Sequence, residues 1–185
     1  MTICKKIVVV GEVCGKSCLI NTFINGEFEG KFLPTVFDTF KTEVEVDCQT
    51  ITLEIFDSAA PEEFDRFRVL HYEEADVFLL CFAVDSPHSF KSVERRWLPE
   101  IRNRRPGVPF LLVGNRSDLR DESTLKTVAE EPISPTEANA LAKKIGAADY
   151  IECSAKTKKN VENVFRTATA VALRKETKES KCSAI

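Results

Sequence analysis

The chain has 185 residues, with 26 Lys and Arg against 29 Asp and Glu and a formal net charge of −3. Apolar residues at 43% and charged residues at 30% exclude a disordered or collagen-like chain. The missing basic surplus argues against a bulk nucleic-acid binder, and the length suits one domain rather than two. The cysteine count is seven, an odd number, and Cys81 sits in the strand-like run VFLLCFAVD, so reduced thiols are expected. The opening MTICKK lacks the long apolar region of a signal peptide. No apolar run approaches the roughly 18 residues of a spanning helix, which points to a cytosolic or cytosol-facing protein.

In chain order, Ile7 to Val10 is β-branched without interruption, as a strand buried on both faces should be. A helix is predicted from Lys16 to Asn25. Phe40, Thr42, Val44 and Val46 alternate with charged residues, and Ile51, Leu53 and Ile55 repeat the pattern after a turn at Asp47-Cys48-Gln49, which reads as a hairpin. Val77 to Val84 is the next buried strand. Ser86 and Pro87 open a helix as N-cap and first helical residue. Val108 to Gly114 is another buried strand, and a charged stretch from Arg116 to Glu131 follows. Ser134-Pro135-Thr136-Glu137 is a capping box for a helix to Ile145. Tyr150 to Cys153 is the last strand and Asn160 to about Glu176 the last helix. Such alternation implies an α/β fold with a mostly parallel sheet covered on both faces. Residues 1–173 form the expected domain, and 174–185 a flexible tail.

Gly11, a short loop, Gly15-Lys16-Ser17 and a helix follow the first strand, as in a phosphate-binding loop. Lys16 would reach the β- and γ-phosphates and the Ser17 hydroxyl would ligate Mg²⁺. The spacing departs from G-x-x-x-x-G-K-[ST], because only Glu12, Val13 and Cys14 separate the glycines. On this stretch alone, an ordinary strand-to-helix turn stands level with a nucleotide loop.

Four further blocks carry a resemblance. Phe32-Leu33-Pro34-Thr35-Val36-Phe37-Asp38, Asp57-Ser58-Ala59-Ala60, Asn115-Arg116-Ser117-Asp118 and Glu152-Cys153-Ser154-Ala155-Lys156 occur in order along the chain. Together they resemble the Rho family of small Ras-like GTPases, most of all its Cdc42 and Rac branch, over essentially the whole length. The resemblance implies a P-loop G-domain with six strands, one antiparallel hairpin, about five helices and a short Rho-type insert after Asp118. It implies GTP or GDP as ligand and Mg²⁺ held by Ser17, Thr35 and Asp57. Phosphate binding would fall to Gly11, Val13, Cys14, Gly15, Lys16, Ser17, Cys18 and Ala60. Guanine binding would fall to Phe28, Asn115, Arg116, Asp118, Ser154, Ala155 and Lys156. The Asp118 carboxylate can accept from guanine N1–H and the exocyclic amine, which adenine cannot supply. Phe32, Leu33, Pro34, Thr35, Val36, Phe37, Asp38, Thr39 and Phe40 would form the effector segment. Cys182-Ser183-Ala184-Ile185 is similar to the family's prenylation box, with Cys182 as the lipid site.

Departures gather on hydrolysis. Ala60 replaces the glycine of D-x-x-G, and Pro61 stands where the family has its water-positioning glutamine. Pro61 has no carboxamide and no N–H. Val13 and Cys14 in the shortened loop are expected to crowd an incoming arginine finger. For the Cys14 and Cys18 pair core packing is the simpler account, and a thiol pKa lowered at the helix N-terminus is not the favoured reading of Cys14. No confident catalytic residue remains. The expectation is a monomeric switch, largely GTP-bound, on the plasma membrane or endomembranes with a cytosolic fraction. Its partners would be effectors, exchange factors and a dissociation inhibitor, without nucleic acid. A conventional cycling GTPase and a nucleotide-poor scaffold are the alternatives.

Overall fold

The computed structural model describes residues 3–30, 37–58, 60–121 and 131–182. Strands β1 (Ile3–Gly11), β2 (Phe37–Val46), β3 (Gln49–Ser58), β4 (Val77–Ala83), β5 (Phe110–Asn115) and β6 (Tyr150–Glu152) form one sheet. Their order is β2-β3-β1-β4-β5-β6, and β2–β3 is the antiparallel pair among parallel neighbours. The architecture is the expected α/β G-domain fold.

Helical segments are α1 (Lys16–Asn25), a 3-10 turn (Glu62–Phe64), α2 (Asp65–Tyr72) and α3 (Pro87–Ser92). A π-helical turn (Val93–Trp97) then leads into α4 (Leu98–Arg104), followed by α5 (Asp118–Asp121), α6 (Pro135–Ile145) and α7 (Val161–Cys182). The uninterrupted apolar run of β1 has the meaning its sequence suggests. Ile7 and Val9 enter one core with Ile20 of α1 and Phe165 of α7. Val8 and Val10 enter the other, with Trp97 and with Leu141 of α6. Each such side chain contributes roughly 1.5–3 kcal/mol when fully buried.

Local signals act as read. The Ser86 hydroxyl accepts from Ser89 N–H at 3.2 Å. Ser134 and Glu137 close a reciprocal capping box. The hairpin turn is tighter than expected, with Asp47 and Cys48 both at positive φ (51° and 60°), the conformation whose twist suits a two-residue connection.

Boundaries shift for a physical reason. The strand expected at Ile7 begins at Ile3, and β2 begins at Phe37 rather than Phe40. Ladder hydrogen bonds continue past the apolar residues: Ile3 pairs with Ile51 and Phe37 with Ser58. The last helix continues to Cys182, beyond both Glu176 and the Arg174 boundary of the expected flexible tail. Lys- and Glu-rich sequence has good helix propensity without apolar periodicity, so periodicity marks the end too early. Residues 122–130, which carry most of the expected insert, lie outside the described residues.

Candidate functional site

The C-terminal ends of β1, β3 and β5 and the loop after β6 bring the expected residues to one end of the sheet, where open α/β sheets bind ligands. Gly11 ends β1 at φ 148°, and a Cβ there would meet the Cys81 carbonyl oxygen at 2.3 Å. Gly15 is the N-cap of α1 at φ 87°, without a side-chain cap. The first-turn N–H groups therefore have no capping side chain, the arrangement that receives an anion. Lys16 is buried, and its Nζ donates to the carbonyl oxygens of Gly11 at 2.7 Å and Glu12 at 2.8 Å. The ammonium is thus folded back beneath the loop.

One expectation about this loop is corrected. Cys14 is fully buried in the core cluster shared by β1 and α7, so its bulk lies beneath the loop and not over a phosphate. Burial pushes its thiol pKa up, outweighing Lys16 and Arg116, which favour the thiolate. Val13, at 60% exposure, is the residue that stands out of the loop.

Asp57 is buried near the end of β3, opposite Val9 of β1. With the Ser17 hydroxyl it offers hard oxygen donors, which suit Mg²⁺ rather than a soft metal. No group of three or more His, Cys, Asp or Glu among the described residues could hold a metal by itself. That donor set fits an ion held mostly by phosphates and water. Thr35, and with it Phe32, Leu33, Pro34 and Val36, lies outside the described residues.

A cavity of about 280 Å³ opens beside Gly15 and Cys18. Its walls include Phe28, Asn115, Arg116, Asp118, Ala155 and Lys156, so with Gly15 and Cys18 residues from four separate stretches of chain converge. Phe28 is 39% exposed and borders this space instead of filling the core. Gly30 and Leu119 also line it and were not anticipated; the position of Leu119 next to Asp118 was the available signal.

Short hydrogen bonds hold these walls. Asn115 Nδ2 donates to the Cys14 carbonyl at 3.0 Å, and its Oδ1 accepts from the Cys153 thiol at 3.1 Å. Burial pushes that thiol pKa up to about 12, so it stays a donor. Ser154 Oγ donates to Asp118 Oδ1 at 2.5 Å and accepts from Thr157 N–H at 3.1 Å. Arg116 takes positive φ (61°) and pairs with Asp85 at 3.6 Å. Behind the loops, Arg120 grips both Glu152 oxygens at 2.6 and 2.9 Å. Burial opposes the Glu152 charge, but the Arg120 and Tyr150 donors hold its pKa below the usual carboxylate range.

The switch II side is organised by other residues. Pro61 is exposed at the head of the 3-10 turn, and Ala60 is buried against the second core. Glu62 and Glu63 are exposed, whereas Asp65 accepts from both Arg68 and Arg96. Arg68 is fully buried, donating from Nε to Glu100 at 2.9 Å, and Tyr72 O–H reaches the same carboxylate at 2.5 Å. Burial disfavours the guanidinium charge, yet the Glu100 and Asp65 hydrogen bonds raise its pKa overall. Phe37, at the start of β2, has its ring near those of Phe64 and Phe67, at 6.1 and 6.0 Å. Asp38 and Thr39 continue β2, while Phe40 packs on the core.

The Ras family model matches residues 6–174. The chain is 44% identical over 176 residues to the Rho-related GTP-binding protein RhoB of Homo sapiens, covering 92% of this chain and 90% of that protein. The RhoB proteins of Mus musculus and Rattus norvegicus match to the same extent.

Proposed function

The chain belongs to the Ras family of small GTPases, on its Rho side, and from that premise we propose a GTP-binding switch that stays mostly GTP-loaded because its hydrolysis is impaired. The observation that carries this reading is Pro61, directly after Ala60, at the place where the resemblance puts a water-positioning glutamine. A proline offers neither a carboxamide to orient water nor an N–H to the reacting phosphate. Binding groups are largely retained. Asp118 would read guanine, with Ser154 Oγ holding one of its oxygens. Arg116 and Phe28 would flank the base, and Lys156 and Ala155 would complete the pocket.

Gly15 and the α1 N-terminus would receive the phosphates, and Lys16 would exchange its loop carbonyls for phosphate oxygens. Ser17, Asp57 through water, and Thr35 would hold Mg²⁺, which neutralises phosphate charge when bound. The segment from Phe32 to Phe40 would meet effectors, with exchange factors and a dissociation inhibitor as regulators.

Membrane attachment through a prenylated Cys182 belongs to the same reading. No helix among the described residues is long and apolar enough to cross a membrane. The basic residues Arg174, Lys175, Lys178 and Lys181 are offset by Glu176 and Glu179. A single lipid with so little charge support holds only part of a population at membranes. Cys182→Ser should release the bound fraction, and unchanged fractionation would remove Cys182 as the anchor.

Extraction and chromatography of the nucleotide carried by the protein purified from cells tests the main proposal. Mostly GTP is expected. Mostly GDP would mean a conventional cycling enzyme, and no nucleotide would mean a scaffold.

A further inference from the structure

Arg96, the second of two arginines in the π-helical turn, joins the phosphate loop to switch II. Arg96 is 84 residues from Glu12 in sequence, yet its Nη1 donates to Glu12 Oε1 at 3.2 Å in the phosphate loop. Its Nη2 donates to the Ala60 carbonyl at 2.8 Å and lies 3.4 Å from Asp65 Oδ1, both on switch II. The guanidinium lies over the Trp97 ring, 4.4 Å from its centroid. Arg96 and Glu12 are 23% and 20% exposed, so solvent weakens this pair less than a surface one.

We propose that Arg96 is a positioning residue that latches switch II to the phosphate loop, whichever nucleotide is bound. The inference rests on the reading that the chain binds guanine nucleotides, and goes beyond it. In a switch, the third phosphate and its metal order a segment that is otherwise loose. A ligand shifts such an equilibrium only by the difference between its affinities for the two states. Glu12 gives the phosphate loop a fixed anion of its own, and Arg96 turns that anion into a tether. The Ala60 carbonyl is held at the entry to switch II, and Pro61 follows at φ −58°, fixed by its ring. The ring removes one torsion from that hinge. The third phosphate then has little left to order.

The test is amide hydrogen exchange of residues 62–72 in full-length protein loaded with GDP or with a non-hydrolysable GTP analogue. In the wild type, rates in the two states should agree within about twofold. In Arg96→Ala, the GDP form should exchange about tenfold faster than the analogue form, the scale of losing charge-assisted hydrogen bonds from a local opening equilibrium. Arg96→Lys keeps the charge but loses the planar fork that reaches three acceptors, and should move in the same direction. It decides the matter if the alanine variant does not fold. A wild type whose rates already differ between nucleotides as much as the variants' do would overturn the latch. So would variants whose two states stay equal. Bound nucleotide is quantified first: failure to load either ligand overturns the binding premise and the latch with it. Nucleotide-dependent exchange in loaded wild-type protein overturns the latch alone. Because the analogue is not cleaved, impaired hydrolysis does not influence the result.

Discussion

The base cavity and switch II lie at the same end of one sheet, but they are held in different ways. Around the base, side chains brace backbone and one another across loops that are far apart in sequence: Asn115 to Cys14 and Cys153, Ser154 to Asp118, Arg120 to Glu152. The groups left facing the cavity are those that would read a purine. On the switch II side, the bracing is charge on charge, with Arg68 and Arg96 sharing Asp65 and lying over Trp97. The residue left at the mouth is Pro61. One region leaves an open cavity between its braced loops, and the other satisfies its charges internally. A chain can therefore keep guanine recognition while its catalytic segment changes, because different residues support each.

The sharpest way to break this comparison is at the base. Asp118→Asn should weaken GTP binding by about 10⁴-fold, since the amide presents a donor where guanine also donates. Xanthosine triphosphate should bind the variant better, as competition binding would read. Unchanged GTP affinity would remove Asp118 from the pocket.

On the other side, Glu100→Ala should lower the unfolding free energy by about 3 kcal/mol in chemical denaturation, because it strips the principal partner from a fully buried guanidinium. The base region should lose less from its own bridge. Asn115→Ala removes two buried hydrogen bonds between loops, and nucleotide release should accelerate about 30-fold in a stopped-flow assay.

The smallest expected effect concerns His71, 4.5 Å from Phe56 and 6.0 Å from Phe37. Burial holds its pKa below the ordinary histidine value, with Glu74 opposing. The folded state binds this proton less well than the unfolded state, so the contribution is whole at neutral pH. It is lost as pH falls through the ordinary value and then the lowered one. Thermal melts between pH 7 and about pH 5 should show a modest drop that His71→Phe lacks.

Much of this was legible in the sequence where the physics is local. The β-branched run Ile7 to Val10, the Ser134 capping box and the alternation through Val44 and Val46 each report on their own surroundings. The cavity residues were legible because loops after strands carry function, and four ordered blocks leave little freedom. The direction of Cys14 was not, because a shortened loop can turn a side chain either way. Packing decided it. Arg96 and Glu12 meet only through the fold, and no spacing in the chain announces an ion pair across 84 residues. The end of α7 was missed because helix propensity can persist after the apolar stripe has stopped.

The central claim is that guanine binding survives while hydrolysis fails. Single-turnover hydrolysis of γ-labelled GTP, with and without a Rho-type activating domain, addresses it most directly. An arginine finger acting on an ordered water normally adds about 10³–10⁵-fold. The wild type should gain less than about tenfold, and Ala60→Gly with Pro61→Gln should restore a substantial part of the stimulation. Wild-type turnover stimulated about 10³-fold or more would contradict the account.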